Sequence, residues 1–555
     1  MNSVEFMLTK DQEVALNGIM NFINKPVQNY PDCATVIYAA AGSGKTFLTR
    51  VIADKLRGKL SIAGVAPTHK ARKVLDRFLN DPGFYKSSQS FGTIYKIKTI
   101  TVASLLSKLR DHSYIGTKNY QGTGSKIQFY EIFIIDEASM ITDDDIKKII
   151  GHAFHFKRKL IFVGDKYQIP NPSQKYKIED NFAYKSDSLA FNIPGFELTT
   201  NMRQKDNPIV NIYSLLRQSI ADKKEPIIPR IDQFENNKGV KFFYNKEDWF
   251  INLSEQFLNS NFFHDIRIIA YTNDAVKSHN MIVRKLYNRG VFPEEGELLM
   301  GYNNVGFPEP YVCNGQDYYI VSVKQTNSHS VLSFSSLTGL IIRTKECDSN
   351  IQANLFVPDI GSPKNQLLLE ELVKRADKVN SKYSTKREYK SYCELRNKLI
   401  FMENIYKFQN NIVGESQFRS DHPLLFKSLS EAVNFDCSEI LSNKLTEDVR
   451  EKYGNLLKER LEDDKRFSNV EKLCDQFCII EKDIDYGYSI TAHKSQGSTY
   501  RTVFIDEADF DKLKDHYNYS LKCDVKAVKE KAQLKYVSYT RPTDSAYVFY
   551  KEIID

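Results

Sequence analysis

The sequence has little of what would place it in a membrane or a secreted scaffold. No apolar run approaches the roughly 18 residues that cross a bilayer, and Met1 to Lys10 lack the basic-then-apolar layout of a secretion signal. The expectation is a cytoplasmic protein. Cysteine is sparse, 8 in 555 residues, and scattered. Only Cys474 and Cys478 lie close, one helical turn apart, and a lone C-x-x-x-C lacks the second ligand pair of a zinc site. Structural thiols in a reducing compartment fit that usage. No internal repeat, zinc cluster or nuclease motif is present. Neither sign of charge dominates: the net value of +7 permits nucleic-acid binding without demonstrating it. The excess is local, because residues 374–398 hold nine Lys/Arg against three Asp/Glu. A solvated basic helix face accounts for such a run as well as a nucleic-acid contact does.

What is present is ordinary globular composition, 41% hydrophobic and 26% charged, over a length suited to three or four structural units. Within it, "VIYAAAGSGKTFLTRVIADKL", Val36 to Leu56, reads as a short buried strand, a small-residue turn, and a helix with Leu48, Val51, Ile52 and Leu56 at helical spacing. That context suits a phosphate loop. Successive backbone N–H groups of Ala41, Gly42, Ser43 and Gly44 and the positive end of the helix dipole would surround a β-phosphate, Lys45 would reach the β/γ oxygens, and Thr46 would hold Mg²⁺. Ala39 stands where the usual pattern has its first glycine; a small side chain serves there if its φ is negative.

A second motif supports the first. "EIFIIDEASM" is a hydrophobic run, Ile132 to Ile135, ending in Asp136 and Glu137 at the edge of a parallel strand. Asp136 suits the Mg²⁺ shell and Glu137 a general base for the attacking water. A third strand, "KLIFVGDKYQIP", ends in Gly164, Asp165 and Gln168, whose amide can touch a γ-phosphate without changing charge. Near the C-terminus, "YGYSITAHKSQGSTYRTVFID" leads into a strand at Thr502 to Ile505, and "LKYVSYTRPTDSAYVFY" places Arg541 after another. An arginine beside a γ-phosphate contributes about 10³ to 10⁵ in rate. Supplied by a different lobe from Lys45, it would couple hydrolysis to cleft closure.

Taken in order, "LTKDQEVAL", "AAAGSGKT", "VAPTHKARKVL", "IIDEASM", "VGDKYQIP", "LTTNMRQ", "IIAYTNDAVKSHN", "CNGQ", "TAHKSQGSTY" and "YVSYTRPTD" resemble the motif set of superfamily 1 helicases. The likeness is to the superfamily 1B, 5′-to-3′ branch holding RecD-like enzymes and the phage Dda helicase, and it is weak only between about 317 and 480. The resemblance implies an α/β protein with two RecA-like parallel-sheet domains, an inserted β-hairpin pin, and an inserted SH3-like β module carrying a helical arm. It divides the chain into a first domain at 1–200 with the pin at 109–130, a second at 201–316 and 481–555, and the insert at 317–480. It implies adenine recognition by Gln12, triphosphate contacts from Lys45, Thr46, Gln168, Arg203 and Arg541, and Gly497 beside the nucleotide. Pro542 after the arginine departs from the family and puts the local turn in question.

For the strand track, Pro67, Thr68 and His69 sit at a strand-to-helix turn, where helix capping by Thr68 competes with phosphate holding. By resemblance, Pro67, Thr68 and His69 face single-stranded DNA from the first lobe, and Thr272, Asn273, Thr491 and His493 from the second. "DHSYIGTKNYQGTGSKIQFY", 111–130, reads as a hairpin around a Gly-rich turn. Tyr114, Tyr120 or Phe129 could stack on an end base pair, though an ordinary exposed loop looks the same. Asp317 to Thr344 alternates as strands do. The implied activity is ATP-dependent, Mg²⁺-assisted 5′-to-3′ translocation on single-stranded DNA with unwinding of forked duplex, by a monomer with a replication or single-strand-binding protein as possible partner. DNA replication or recombination would be its setting, in a host's cytoplasm if the source is a phage. The competing readings are an ATPase that displaces bound proteins without opening duplex, and a non-catalytic scaffold. Intact Lys45, Asp136, Glu137 and Arg541 argue against the scaffold.

Overall fold

The computed structural model describes residues 8–40, 42–81, 96–110, 120–122, 125–171, 174, 176–179, 182–200, 207–235, 238–259, 265–306, 309–331, 335–349, 351–359, 362–363, 365, 477–478, 480–513, 516–518, 523–525 and 527–551. The basic run at 374–398 and the rest of the expected helical arm lie outside them.

Short runs of β-branched and aromatic residues build two parallel sheets. In the first lobe the strand order is 195–198, 34–39, 159–164, 132–135, 62–66, 98–101, every pairing parallel. Because side chains alternate across a strand, Val36, Phe133, Ile135 and Phe162 pack with the helix Asp143–His155 on one face. Ile37, Ile134, Ile161 and Val163 pack on the other with the helices Lys10–Asn24, Lys45–Leu56 and His69–Asn80. Apolar residues on both faces are what a parallel sheet covered by helices requires. The loops after strands 34–39, 159–164, 132–135 and 62–66 therefore share the carboxyl edge, where open α/β sheets hold ligands.

The second lobe repeats the design from distant segments. Its strand order is 233–235, 238–243, 542–549, 500–506, 266–270, 489–491, parallel except for the antiparallel edge strand Gln233–Glu235. Trp249, fully buried, donates from its indole to Tyr547 O at 3.0 Å and anchors the helix Lys246–Asn259 to this sheet. The expected α/β class with two parallel-sheet lobes is thus present.

An antiparallel sheet ordered 352–358, 335–346, 317–331, 298–301, 484–486 stands beside the second lobe. In sequence, its strands Leu298–Gly301 and Ile484–Tyr486 flank the 317–480 stretch on either side. Tyr318, Ile320, Ile342 and Leu355 share one core with Trp249, Phe504 and Tyr547. Arg267–Asp317 at 3.0 Å and the fully buried Arg284–Glu297 pair at 2.8 Å brace the region. The hairpin after strand 98–101 pairs Lys108–Arg110 with Tyr120–Gly122. It begins earlier than 111–130 suggests, and Lys126–Phe129 is a turn of 3-10 helix capped by Ser125. Among the described residues, no helix is long and apolar enough to cross a membrane.

Candidate functional site

The turn after strand 34–39 needs two left-handed residues, and both are glycines: Gly42 has φ 81° and Gly44 φ 76°. Ala39 ends the strand in register with Leu198, extended and buried, so the first position makes no demand for glycine. Ser43 closes the loop, its hydroxyl donating to Ala40 O at 2.8 Å. Gln12, 1% exposed, donates from Nε2 to Ser43 O at 3.1 Å while its Oε1 accepts from Thr9 N at 3.0 Å. The Lys10–Asn24 helix is thereby tied to the loop, so Gln12 braces the turn directly.

Lys45 Nζ lies 3.6 Å from Glu137 Oε1. Burial would lower the ammonium's pKa, but Glu137, Asp136 and Asp165 together raise it above its usual value. Lys45 is therefore held as a cation at the centre of an acidic pocket. Burial, with the Glu137 charge adding to it, pushes Asp136 up to about 6 against the pull of Lys45. Asp165 is likewise raised by burial, with the Lys45 charge and the Tyr536 hydroxyl at 2.7 Å working the other way. A cation bound beside Asp136 would reverse its shift, because added positive charge favours the carboxylate.

Two features of this pocket are costly. Glu137 takes a left-handed backbone, φ 51° and ψ 47°, which non-glycine residues seldom adopt. Glu137 Oε2, Gln168 Oε1 and Ser139 Oγ are buried side-chain atoms with no hydrogen-bond partner. Unsatisfied buried acceptors cost about 1 to 3 kcal/mol each. Together with the lysine and the loop's N–H groups, these atoms fit a polyphosphate and its divalent cation. Thr46, in the first turn of the Lys45–Leu56 helix, is positioned on the same loop.

The second lobe reaches this pocket. Gly497, φ 73°, stands so close that a Cβ built on it would lie 3.6 Å from Glu137 Oε1. The helix Val528–Tyr539 inserts between the lobes: Gln533 Nε2 donates to Gln168 O at 3.1 Å, and Lys529 pairs with Asp187 at 2.8 Å. Arg541 follows this helix and precedes strand 542–549, where the sequence suggested a strand before it, and is 5% exposed. Its guanidinium donates to Val537 O at 2.9 Å, Ser495 O at 3.3 Å, Ser498 O at 3.0 Å and Thr540 Oγ1 at 2.8 Å, all in its own lobe. The arginine thus lies behind the Gly497 turn, near enough that its charge opposes that of Lys45. Pro542 does not disturb it, because a proline is tolerated as the first strand residue.

The three expected track turns are helix N-termini. Thr68 accepts from Ala71 N at 3.1 Å, Thr272 from Ala275 N at 3.2 Å, and Thr491 from Lys494 N at 3.3 Å. Each hydroxyl is a cap, and Thr272 is also fixed by Asp509. Pro67 and His69 are half-buried beside Thr68, Asn273 is exposed, and His493 lies 6.4 Å from the Tyr271 ring. Phe129 is exposed, and the Tyr120 backbone pairs with Arg110. Ala41, Arg203 and Tyr114 lie outside the described residues. Sequence reasoning missed Lys70, Asn314, Lys494 and Ser498. Lys70 Nζ donates to Ser498 Oγ at 2.8 Å, and Lys494 Nζ to Asn314 Oδ1 at 3.1 Å while covering the Tyr302 ring at 3.8 Å. All four stand inside quoted motifs, while Tyr302 does not, so position in a motif was the available signal.

Comparison with known proteins gives three findings. The AAA domain family matches residues 24–236. An uncharacterized protein, R530, of Acanthamoeba polyphaga mimivirus is 24% identical over 537 residues, covering 91% of this chain and 94% of its own. Among solved structures, the Pif1 helicase from Bacteroides in complex with ADP-AlF3 and single-stranded DNA is 14% identical at a TM-score of 0.42, covering 98% of this chain and 92% of that one. The Pif1 helicase from Candida albicans is 13% identical at 0.42, covering 99% and 95%.

Proposed function

We propose that this chain is an ATP-dependent DNA helicase that translocates 5′ to 3′ on single-stranded DNA and opens duplex ahead of it. The observation that carries the reading is the meeting of Gly497 with Glu137, which puts the wall of a phosphate-loop pocket on a separate lobe. Ligand binding in such a cleft is coupled to lobe closure, the requirement for turning hydrolysis into stepping.

In this reading Lys45 and the loop N–H groups bind the β- and γ-phosphates, and Gln12 holds the loop in shape. Thr46 and Asp136 would hold Mg²⁺, whose charge would offset that of the phosphates. Glu137 accepts a proton from the water that attacks the γ-phosphorus; the bond to the β–γ bridging oxygen breaks, leaving ADP and phosphate. Gln168 orients that water. Arg203 and Arg541 add positive charge at the γ-phosphate as it departs, and Arg541 does so by exchanging its carbonyl partners for phosphate oxygens. The capped turns at Thr68, Thr272 and Thr491 leave backbone N–H groups for strand phosphates on both lobes. The strand pair Lys108–Arg110 and Tyr120–Gly122 belongs to the stretch that serves as the separating pin.

The deciding experiment compares duplexes with a single 5′ or 3′ tail in the presence of ATP. Opening is expected with the 5′ tail only. Opening from the 3′ tail would reverse the polarity, and strand-stimulated hydrolysis with no opening of either would favour a protein-displacing motor.

A further inference from the structure

We propose that Ser498 is a positioning residue that, gripped by Lys70 of the opposite lobe, holds Arg541 off the nucleotide until a strand phosphate draws Lys70 away. The idea rests on the ATP-driven reading above and adds its regulation: how an occupied strand track switches on hydrolysis.

Ser498 stands where three parts of the protein meet. Its hydroxyl accepts from Lys70 Nζ at 2.8 Å, and its carbonyl accepts from Arg541 Nη1 at 3.0 Å. Its own N–H donates to Ser495 O at 3.0 Å, the carbonyl that also accepts from Arg541 at 3.3 Å. The preceding residue is Gly497, which faces Glu137. One tight turn therefore touches the first lobe, the arginine and the base. Lys70 is the second residue of the His69–Asn80 helix, directly after the turn expected to meet DNA.

The surroundings of Lys70 favour an anion. Lys494, from the second lobe, has its pKa lowered to about 8 by burial and by the like charge of Lys70. Among the described residues, neither ammonium has a carboxylate partner; Lys70 has a hydroxyl, and Lys494 an amide oxygen and a ring. A phosphodiester entering between them would relieve the repulsion. A phosphate adds the attraction of a full negative charge to the hydrogen bond that the neutral hydroxyl offers the ammonium, so Lys70 would turn toward the strand and release Ser498 Oγ. With that tether gone, the 495–498 turn can shift and Arg541 can exchange its carbonyls for the γ-phosphate.

The test is Ser498→Ala, which deletes the hydroxyl and keeps the carbonyl that Arg541 uses. ATP hydrolysis without DNA is expected to rise about tenfold, the weight of one charge-assisted hydrogen bond. The strand-saturated rate should stay the same, so the stimulation ratio falls by the same factor. Lys70→Met should raise the DNA-free rate equally and also weaken single-strand affinity, while Lys70→Arg should restore stimulation. An unchanged DNA-free rate in Ser498→Ala, or parallel loss of both rates at an unaltered melting temperature, would overturn the proposal. Absence of strand-stimulated hydrolysis in the unaltered protein would instead overturn the activity reading beneath it.

Discussion

Glu507 shows how a single residue can set the acid stability of a lobe. Its buried carboxylate accepts from Arg230 at 2.6 and 3.0 Å, from Lys535 at 2.6 Å and from the Tyr539 hydroxyl at 2.8 Å. Burial works to raise its pKa, but Lys535 and Arg230 outweigh it and hold the group down at about 2. Unfolded, the group titrates near the ordinary glutamate value of 4.5. Between those values the unfolded chain binds more protons, so stability from this group is full above about 4.5 and is lost as pH falls toward 2. Glu507→Gln should cost about 2 to 3 kcal/mol at neutral pH, since two half-buried cations lose their buried charged partner. That deficit should shrink as acid titrates the unaltered protein. Urea unfolding followed by the fluorescence of Trp249, the sole tryptophan and a member of the same lobe, measures both limbs. A deficit that stays constant down to pH 2 would refute the assignment.

At the scale of elements, the first lobe depends on close approach at its edge. A Cβ on Gly195 would sit 1.9 Å from Val36 O, so the pairing of strands 195–198 and 34–39 leaves no room for a side chain. Gly195→Ala is expected to destabilise by about 1 to 3 kcal/mol through overpacking. It should also weaken binding of a non-hydrolysable ATP analogue, because strand 34–39 feeds the phosphate loop. A melting temperature within a degree of the unaltered protein would contradict this. The same elements show what a sequence can reveal. The strand at Ile132–Ile135 and the helix after Lys45 were legible because their hydrophobic spacing and loop residues are local. The Val528–Tyr539 helix carries no such signal: it is covered on all sides, ten of its twelve residues being buried, so it has no polar stripe to reveal a period. Likewise the Lys70–Ser498 contact joins residues 428 apart and leaves no periodic trace. The arrest of Arg541 on its own carbonyls is a conformational fact that no motif encodes.

For the whole molecule, the connections between lobes differ in strength. The antiparallel sheet shares a hydrophobic core with the second lobe but meets the first through the ion pairs Arg72–Glu309 at 3.0 Å, Arg77–Asp348 at 3.9 Å and Lys73–Glu346. The first two, whose carboxylates are exposed, contribute at most about 1 kcal/mol each, while Glu346 of the third is buried. Relative motion is therefore easiest along that ionic seam. If strand phosphates occupy turns on both lobes, single-strand affinity should fall steeply with salt, the logarithmic slope being about −0.7 for each phosphate neutralised. Fluorescence anisotropy between 50 and 300 mM salt checks this; a slope near zero would exclude the proposed track.

The Val528–Tyr539 helix has a further implication for how the sequence can drift. Its side chains answer to Asp165, Gln168 and Asp187 across the interface and to their own sheet behind, so a change at almost any of those dozen positions is judged twice. Tolerance along it should run flat instead of rising and falling each turn, and compensating changes should surface some 350 residues away. The slowest-evolving part of the molecule would then be a rod wedged between the two lobes.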